Sequence, residues 1–178
     1  MKSGLTVRSD NYAGVLDALK QLSGTDVLVG IPAGPPREDS PLSNAEIGYL
    51  QSTGATVEID GETVTLPPRP FLDMGIEDSR DKTTARLKLA AQAALEGNAG
   101  VAEQHLEAAG QIASVASQAV IGAGDRLAPL SEKTKAKRRK NGQDFKPLYD
   151  THKMMESITY VVRKNNALSR CDRGSAGP

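Results

Sequence analysis

The side chains that could do chemistry in this chain are few and scattered. His105 lies inside an Ala-rich stretch, "VAEQHLEAAG", and His152 follows "KPLYDT"; neither has an acidic or cysteine neighbour at metal-ligand spacing, so both read as surface or packing residues. The single Cys171 sits in "RCDRGSAGP", with no second cysteine for an internal disulfide and no nearby histidine to activate its thiolate. The carboxylates are scattered, and no G-x-x-x-x-G-K-[ST] loop is present. The expectation is a chain that is not an enzyme and that needs no metal and no cofactor.

Charge is the more promising chemistry. Lys133, Lys135, Lys137, Arg138, Arg139 and Lys140 crowd one segment that is closed by Asn141-Gly142. Three readings stay open for it: a solvated basic face, contact with the phosphate backbone of DNA, or docking on an acidic protein surface. No aromatic residue interleaves the cluster, so base stacking and sequence reading are not expected, and any DNA contact would be nonspecific and salt-sensitive. The signs are also segregated along the chain. Residues 1–125 carry 9 basic and 17 acidic side chains, net −8, whereas residues 126–178 carry 13 basic and 5 acidic, net +8. In a ring of identical subunits such a bipolar chain can set an acidic face against a basic face of its neighbour.

A third cluster is conformational. In "LPPRPFLDMG" (66–75) Pro67, Pro68 and Pro70 surround Arg69 and lead into Phe71 and Leu72. Proline fixes φ, removes a backbone donor and pushes the preceding residue toward extended geometry, so the run is a stiff arm between a strand and a helix. Phe71 and Leu72 can serve as core plugs at the end of a rigid connector, or the arm can offer Arg69, Pro70, Phe71 and Leu72 to a neighbouring subunit.

The elements that must position these groups follow from pattern. "DNYAGVLDALKQL" (10–22) is an amphipathic helix with Asp10 as N-cap and Tyr12, Val15, Leu16, Leu19 and Leu22 on one stripe. "TDVLVGI" (25–31) is a buried strand, and the four-proline stretch at 32–41 an exposed, mobile loop. Ser43 and Glu46 make a capping box for a helix that Gly54 ends. Asp60-Gly61 between two alternating runs predicts a hairpin over 55–66 with Glu58 and Glu62 outward. A helix over 76–96, a break at Gly97 and Gly100, and a second helix over 101–121 follow; the Ala and Ser content of the latter suits close packing, within the chain or between subunits. Leu127, Pro129 and Leu130 form an extended hook, Ser131 caps a short helix, Asp150 or Thr151 caps another, and "SITYVVR" (157–163) is a strand. The fold class is therefore α+β: a small antiparallel sheet with a β-hairpin, its strands near 25–31, 55–66 and 157–163, packed against two or three long helices.

Length bounds the organisation. The 178 residues support one domain over 1–164, with a proline-rich loop at 32–42, a stiff arm at 66–72 and a disordered tail over 165–178. Aromatic residues are only 3% of the chain and tryptophan is absent, so the helices are expected to pack through Ala and Leu, with some stability supplied by partners. No apolar run approaches the roughly 18 residues of a membrane span, and the N-terminus lacks a signal-peptide core, which places the chain in the cytoplasm where it is made.

Four pieces in fixed order, "NAEIGYLQSTGATVEI" (44–59), "LPPRPFL" (66–72), "LAPLSEKTKAKRR" (127–139) and "KPLYDTHKMMESITYVV" (146–162), resemble the tail-completion or neck proteins of long-tailed bacteriophages and prophages, the group of the lambda minor tail protein Z type and its Mu and P2 virion-morphogenesis relatives. The resemblance spans roughly residues 43–163. Gln51 to Gly54 depart from that family's usual aromatic or acidic ending, and His152 stands where it usually has glycine. The resemblance implies a noncatalytic virion protein, assembled in the bacterial host cytoplasm, that completes the tail and joins it to the head at the head-tail junction as a homo-oligomeric ring. Its implied partners are the tail terminator, the tail tube or head connector proteins, and packaged DNA nonspecifically. The alternative function is a nonspecific DNA-binding protein acting through residues 133–140.

Overall fold

The computed structural model describes residues 12–38, 40–59, 61–149 and 152–164. Asp10, Asp60, Asp150, Thr151, Cys171 and the expected tail at 165–178 lie outside the described residues.

Two long helices form the centre. Helix α3 (Phe71–Leu95) and helix α4 (Ala99–Ala123), each of 25 residues, lie side by side as an α-hairpin. At about 1.5 Å per residue each is roughly 37 Å long. Small residues set how close they come: Ala90, Ala93, Ala102, Ala109 and Ala113 are buried, and Gly75 faces Ser117 so closely that a Cβ would overlap the Ser117 backbone. The Ala and Ser content thus serves packing within the chain. Helix α3 starts at Phe71, five residues before the expected Ile76, because Pro70 stands at its N-cap, where a missing N–H costs nothing. Of the two glycines expected to break the helices only Gly97 does so, at φ +83; Gly100 lies inside α4.

The shorter elements surround this hairpin. Helix α1 (Tyr12–Ser23) packs on α3, and β1 (Thr25–Gly30) follows it. Helix α2 (Asn44–Thr53) carries the expected capping box, with the Ser43 amide and hydroxyl both donating to Glu46 Oε2 at 2.8 Å. Strands β2 (Ala55–Ile59) and β3 (Glu62–Leu66) form the hairpin, and helix α5 (Glu132–Lys140), the one-turn helix α6 (Lys153–Glu156) and β4 (Thr159–Lys164) complete the fold.

The α+β class is as expected, but the single sheet is not. Strand β1 pairs antiparallel with β4, Leu28 opposite Val161, and β2 pairs only with β3, so the strands make two separate two-stranded sheets. Helix α4 covers one face of β1 and β4, and Gly110 lets the Tyr160 ring lie against the helix, since a Cβ there would collide with the ring. Pro32 to Pro36 form an exposed loop, as expected. Pro36 bridges Ser43, and the Arg37 amide donates to Leu42 O at 3.1 Å.

The core sits at one end of the long hairpin, where Phe71, Val120, Ile121, Leu127, Met154 and Ile158 form one buried cluster with Leu72, Met74 and Ile47 against it. Burying these side chains is the main stabilising contribution, about 1.5–3 kcal/mol for each large one. The stripe of α1 is a different matter. Only Ala18 is buried there, and Tyr12, Val15, Leu16 and Leu19 remain exposed, as do Leu28 and Val161 side by side on the face of β1 and β4.

Candidate functional site

Arg69 organises the site, and of the candidate residues singled out in the sequence it and Arg138 line its cleft. The arm brings it there: the Arg69 amide donates to Gln51 O at the end of α2 (2.8 Å), and Pro70, at φ −77 and ψ 61 with Phe71 N–H donating to Arg69 O (2.8 Å), makes an inverse γ-turn into α3. The side chain then bridges distant segments. Its Nε donates to Ala128 O at 2.7 Å, Nη2 to Pro129 O at 3.1 Å and Nη1 to Gln51 Oε1 at 2.7 Å. With 4% of its surface exposed, the guanidinium is buried and bonded only to neutral oxygens. Burial, and next the charge of Arg138, lower its pKa from the ordinary arginine value.

The arm takes the connector-and-core-plug form. Phe71 is fully buried in this chain's own core, Arg69 is buried as well, and Leu72 packs against the same cluster, so Arg69 and Phe71 are not presented on the surface of this chain. What the arm leaves exposed is Pro67 and Pro68, with Pro70 half-buried.

The basic segment divides in the same way. Ser131 caps α5 by accepting from the Thr134 amide at 3.2 Å, and the helix turns Arg138 inward, where Nη1 donates to Asp144 O (2.8 Å) and Lys146 O (2.9 Å). Arg138 is 8% exposed, so it belongs to the scaffold and not to a surface patch. Lys135 is half-buried and bonded to Glu132 at 2.7 Å, which holds that carboxyl below its ordinary pKa. Lys133, Lys137, Arg139 and Lys140 are exposed, with the Arg139 guanidinium 5.8 Å from the centre of the Phe145 ring.

The two arginines meet in a cleft of about 330 Å³ between β3 and α5. Arg37, Arg69 and Arg138 line it together with the hydroxyls of Ser131 and Thr134 and an apolar floor that includes Ile47, Leu148 and Met154. Gln51 and Arg37 were not singled out by sequence reasoning. The inward face of α5 did leave a signal: Ser131, Thr134 and Arg138 recur at helical spacing and interrupt an otherwise lysine-rich helix with uncharged hydroxyls.

Among the described residues no three His, Cys, Asp or Glu side chains gather as a metal site. His105 is half-buried on α4, and His152, at φ +58, packs edge-on against Tyr149 with ring centres 4.2 Å apart. No described helix is long and apolar enough to cross a membrane. No protein-family model, curated protein or solved structure matches the chain.

Proposed function

We propose that the chain is a noncatalytic structural protein of a tailed-phage virion, completing the tail and joining it to the head as a ring of identical subunits. The observation that carries this reading is the convergence of the four motif segments on one scaffold. Arg69 of "LPPRPFL" fastens Gln51 of the first segment to Ala128 and Pro129 of the third, and Arg138 of the third fastens Lys146 of the fourth. Residues so placed hold the fold together, as expected where the shared pattern specifies a shape for assembly and not a reaction.

The exposed apolar side chains supply what an assembling subunit needs. Val15, Leu16 and Leu19 of α1 and the Leu28-Val161 pair give faces that burial against a neighbour would stabilise, and the opposite charge of the two parts of the sequence gives that contact a direction. The decisive test is solution mass by light scattering over concentration and salt, alone and with purified phage tail tubes. A discrete ring-sized species, or stable capture on the tube ends, each lost in Leu16→Glu with the circular dichroism unchanged, is the expected result. A monomer that also ignores tail tubes refutes the reading.

The exposed Lys137, Arg139 and Lys140 at one end of α5 favour a second reading, nonspecific DNA binding through residues 133–140. Arg138 lends no free charge to it. Duplex binding that falls with salt at a slope of about −0.9 per phosphate contacted, and that vanishes in a Lys137→Ala and Arg139→Ala double variant, supports it; no binding at low salt removes it.

A further inference from the structure

The cleft between β3 and α5 has a feature that the scaffold role of its arginines does not explain. Val64, Thr65, Leu66 and Pro67, four consecutive residues, all line it. Successive side chains of a strand point to opposite faces, so consecutive residues line one cleft only where the strand is seen edge-on. Strand β2 occupies one edge of β3, and among the described residues no strand pairs with the other. Such an edge carries a row of backbone N–H and C=O groups open to a further strand. Ser131 and Thr134 at the start of α5 also line the cleft, with Ile47, Leu148 and Met154 as its apolar part.

The electrostatics select the occupant. Arg37 and Arg69 line the cleft, no Asp or Glu does so among the described residues, and Arg69 spends its bonds on neutral oxygens. We propose that the cleft receives an extended, acidic peptide segment of a partner protein, added as a third strand beside β3. Main-chain bonds to the β3 edge supply affinity, alternate apolar side chains rest on the floor, and the carboxylates between them face Arg37 and Arg69, which supplies specificity. The volume lies at the small end of ligand sites and fits a few residues, not a folded domain. This inference does not depend on the head-tail reading, because it rests on the cleft alone.

The probe is the capped hexapeptide acetyl-Val-Glu-Val-Glu-Val-Glu-amide, titrated into the isotopically labelled full chain and followed by amide resonances and hydrogen exchange. The expected result is a Kd below about 1 mM, resonance shifts confined to β3 and the cleft, and exchange at residues 63–66 slowed at least tenfold. The Val-Lys analogue, and a Val-Glu analogue methylated at alternate backbone amides, should each bind at least tenfold more weakly. Thr134→Glu places a carboxylate in the cleft at a helix position that tolerates it, and should weaken the acidic peptide about tenfold with folding intact; Arg37→Ala should act in the same direction. Equal binding of the Val-Lys peptide, no protection of 63–66 at millimolar peptide, or the same shifts produced by inorganic phosphate alone would overturn the proposal, the last marking a small-anion site.

Discussion

Phe71→Ala separates a core plug from a subunit contact. Phe71 is fully buried against Val120, Ile121, Leu127, Met154 and Ile158, so truncation forfeits the whole transfer free energy of the ring. That loss is about 2–3 kcal/mol, and the cavity left among side chains held by α4 and α6 raises the total to about 3–5 kcal/mol. Against the 5–15 kcal/mol typical of a domain, this is a large fraction, and at about 2–4 °C per kcal/mol it lowers Tm by roughly 6–20 °C. The assay is urea unfolding followed by circular dichroism, with Phe71→Leu as a control expected to lose less than half as much. A Phe71→Ala variant within about 0.5 kcal/mol of the parent, deficient only in assembly, would refute the placement of this ring in the core.

Other expectations follow from the same geometry. Gly75→Ala should cost about 1–3 kcal/mol, since Ser117 cannot yield to a new Cβ, whereas Gly100→Ala, with open space around it, should be neutral or stabilising by up to about 1 kcal/mol in the same unfolding assay. Arg69→Ala and Arg69→Lys should both destabilise by about 2–4 kcal/mol, because neither can satisfy three acceptors in a fork, while Arg80→Ala on the exposed side of α3 should change stability by less than about 0.5 kcal/mol. Hydrogen bonds from Ser43 lower the Glu46 pKa from its ordinary 4.5, so the capping box contributes above pH 4.5 and its contribution disappears as pH falls through the lowered value; amide exchange at the start of α2 should accelerate there, and Glu46→Gln should flatten the effect. His152→Val should be less stable than His152→Gly by about 1–2 kcal/mol, because position 152 is left-handed and a β-branched side chain resists that conformation.

What was legible in the sequence was what neighbouring residues decide. The capping box of Ser43 and Glu46, the hairpin over 55–66 and the Ser131 cap depend on partners within a few positions, and each stands where its residues indicated. The site was less legible. Arg69 finds its acceptors 59 and 60 residues downstream, and backbone carbonyls leave no residue-type signature. Its burial, and with it the inward turn of Phe71, could not be read from a proline-rich arm that suits a connector and a protruding hook equally well. The one-sheet expectation failed for a related reason: alternation identifies a strand but not its partner, and β1 pairs with β4, the last of the described strands. The amphipathic stripe of α1 was found in the right place, yet amphipathicity cannot tell whether the covering surface belongs to the same chain.

The pairing of β1 with β4 has a consequence for how the protein is made. Ribosomes extend a chain at about 5–20 residues per second, and Gly30 and its partner Thr159 are separated by more than a hundred residues. For roughly 6–26 s during synthesis the apolar run Val27-Leu28-Val29 has no strand to pair with, and the α3-α4 hairpin that will support it is itself made within that interval. The sheet of β1 and β4 cannot close until Thr159–Lys164 have been made, and until then the nascent β1 edge stays open to other chains or to chaperones.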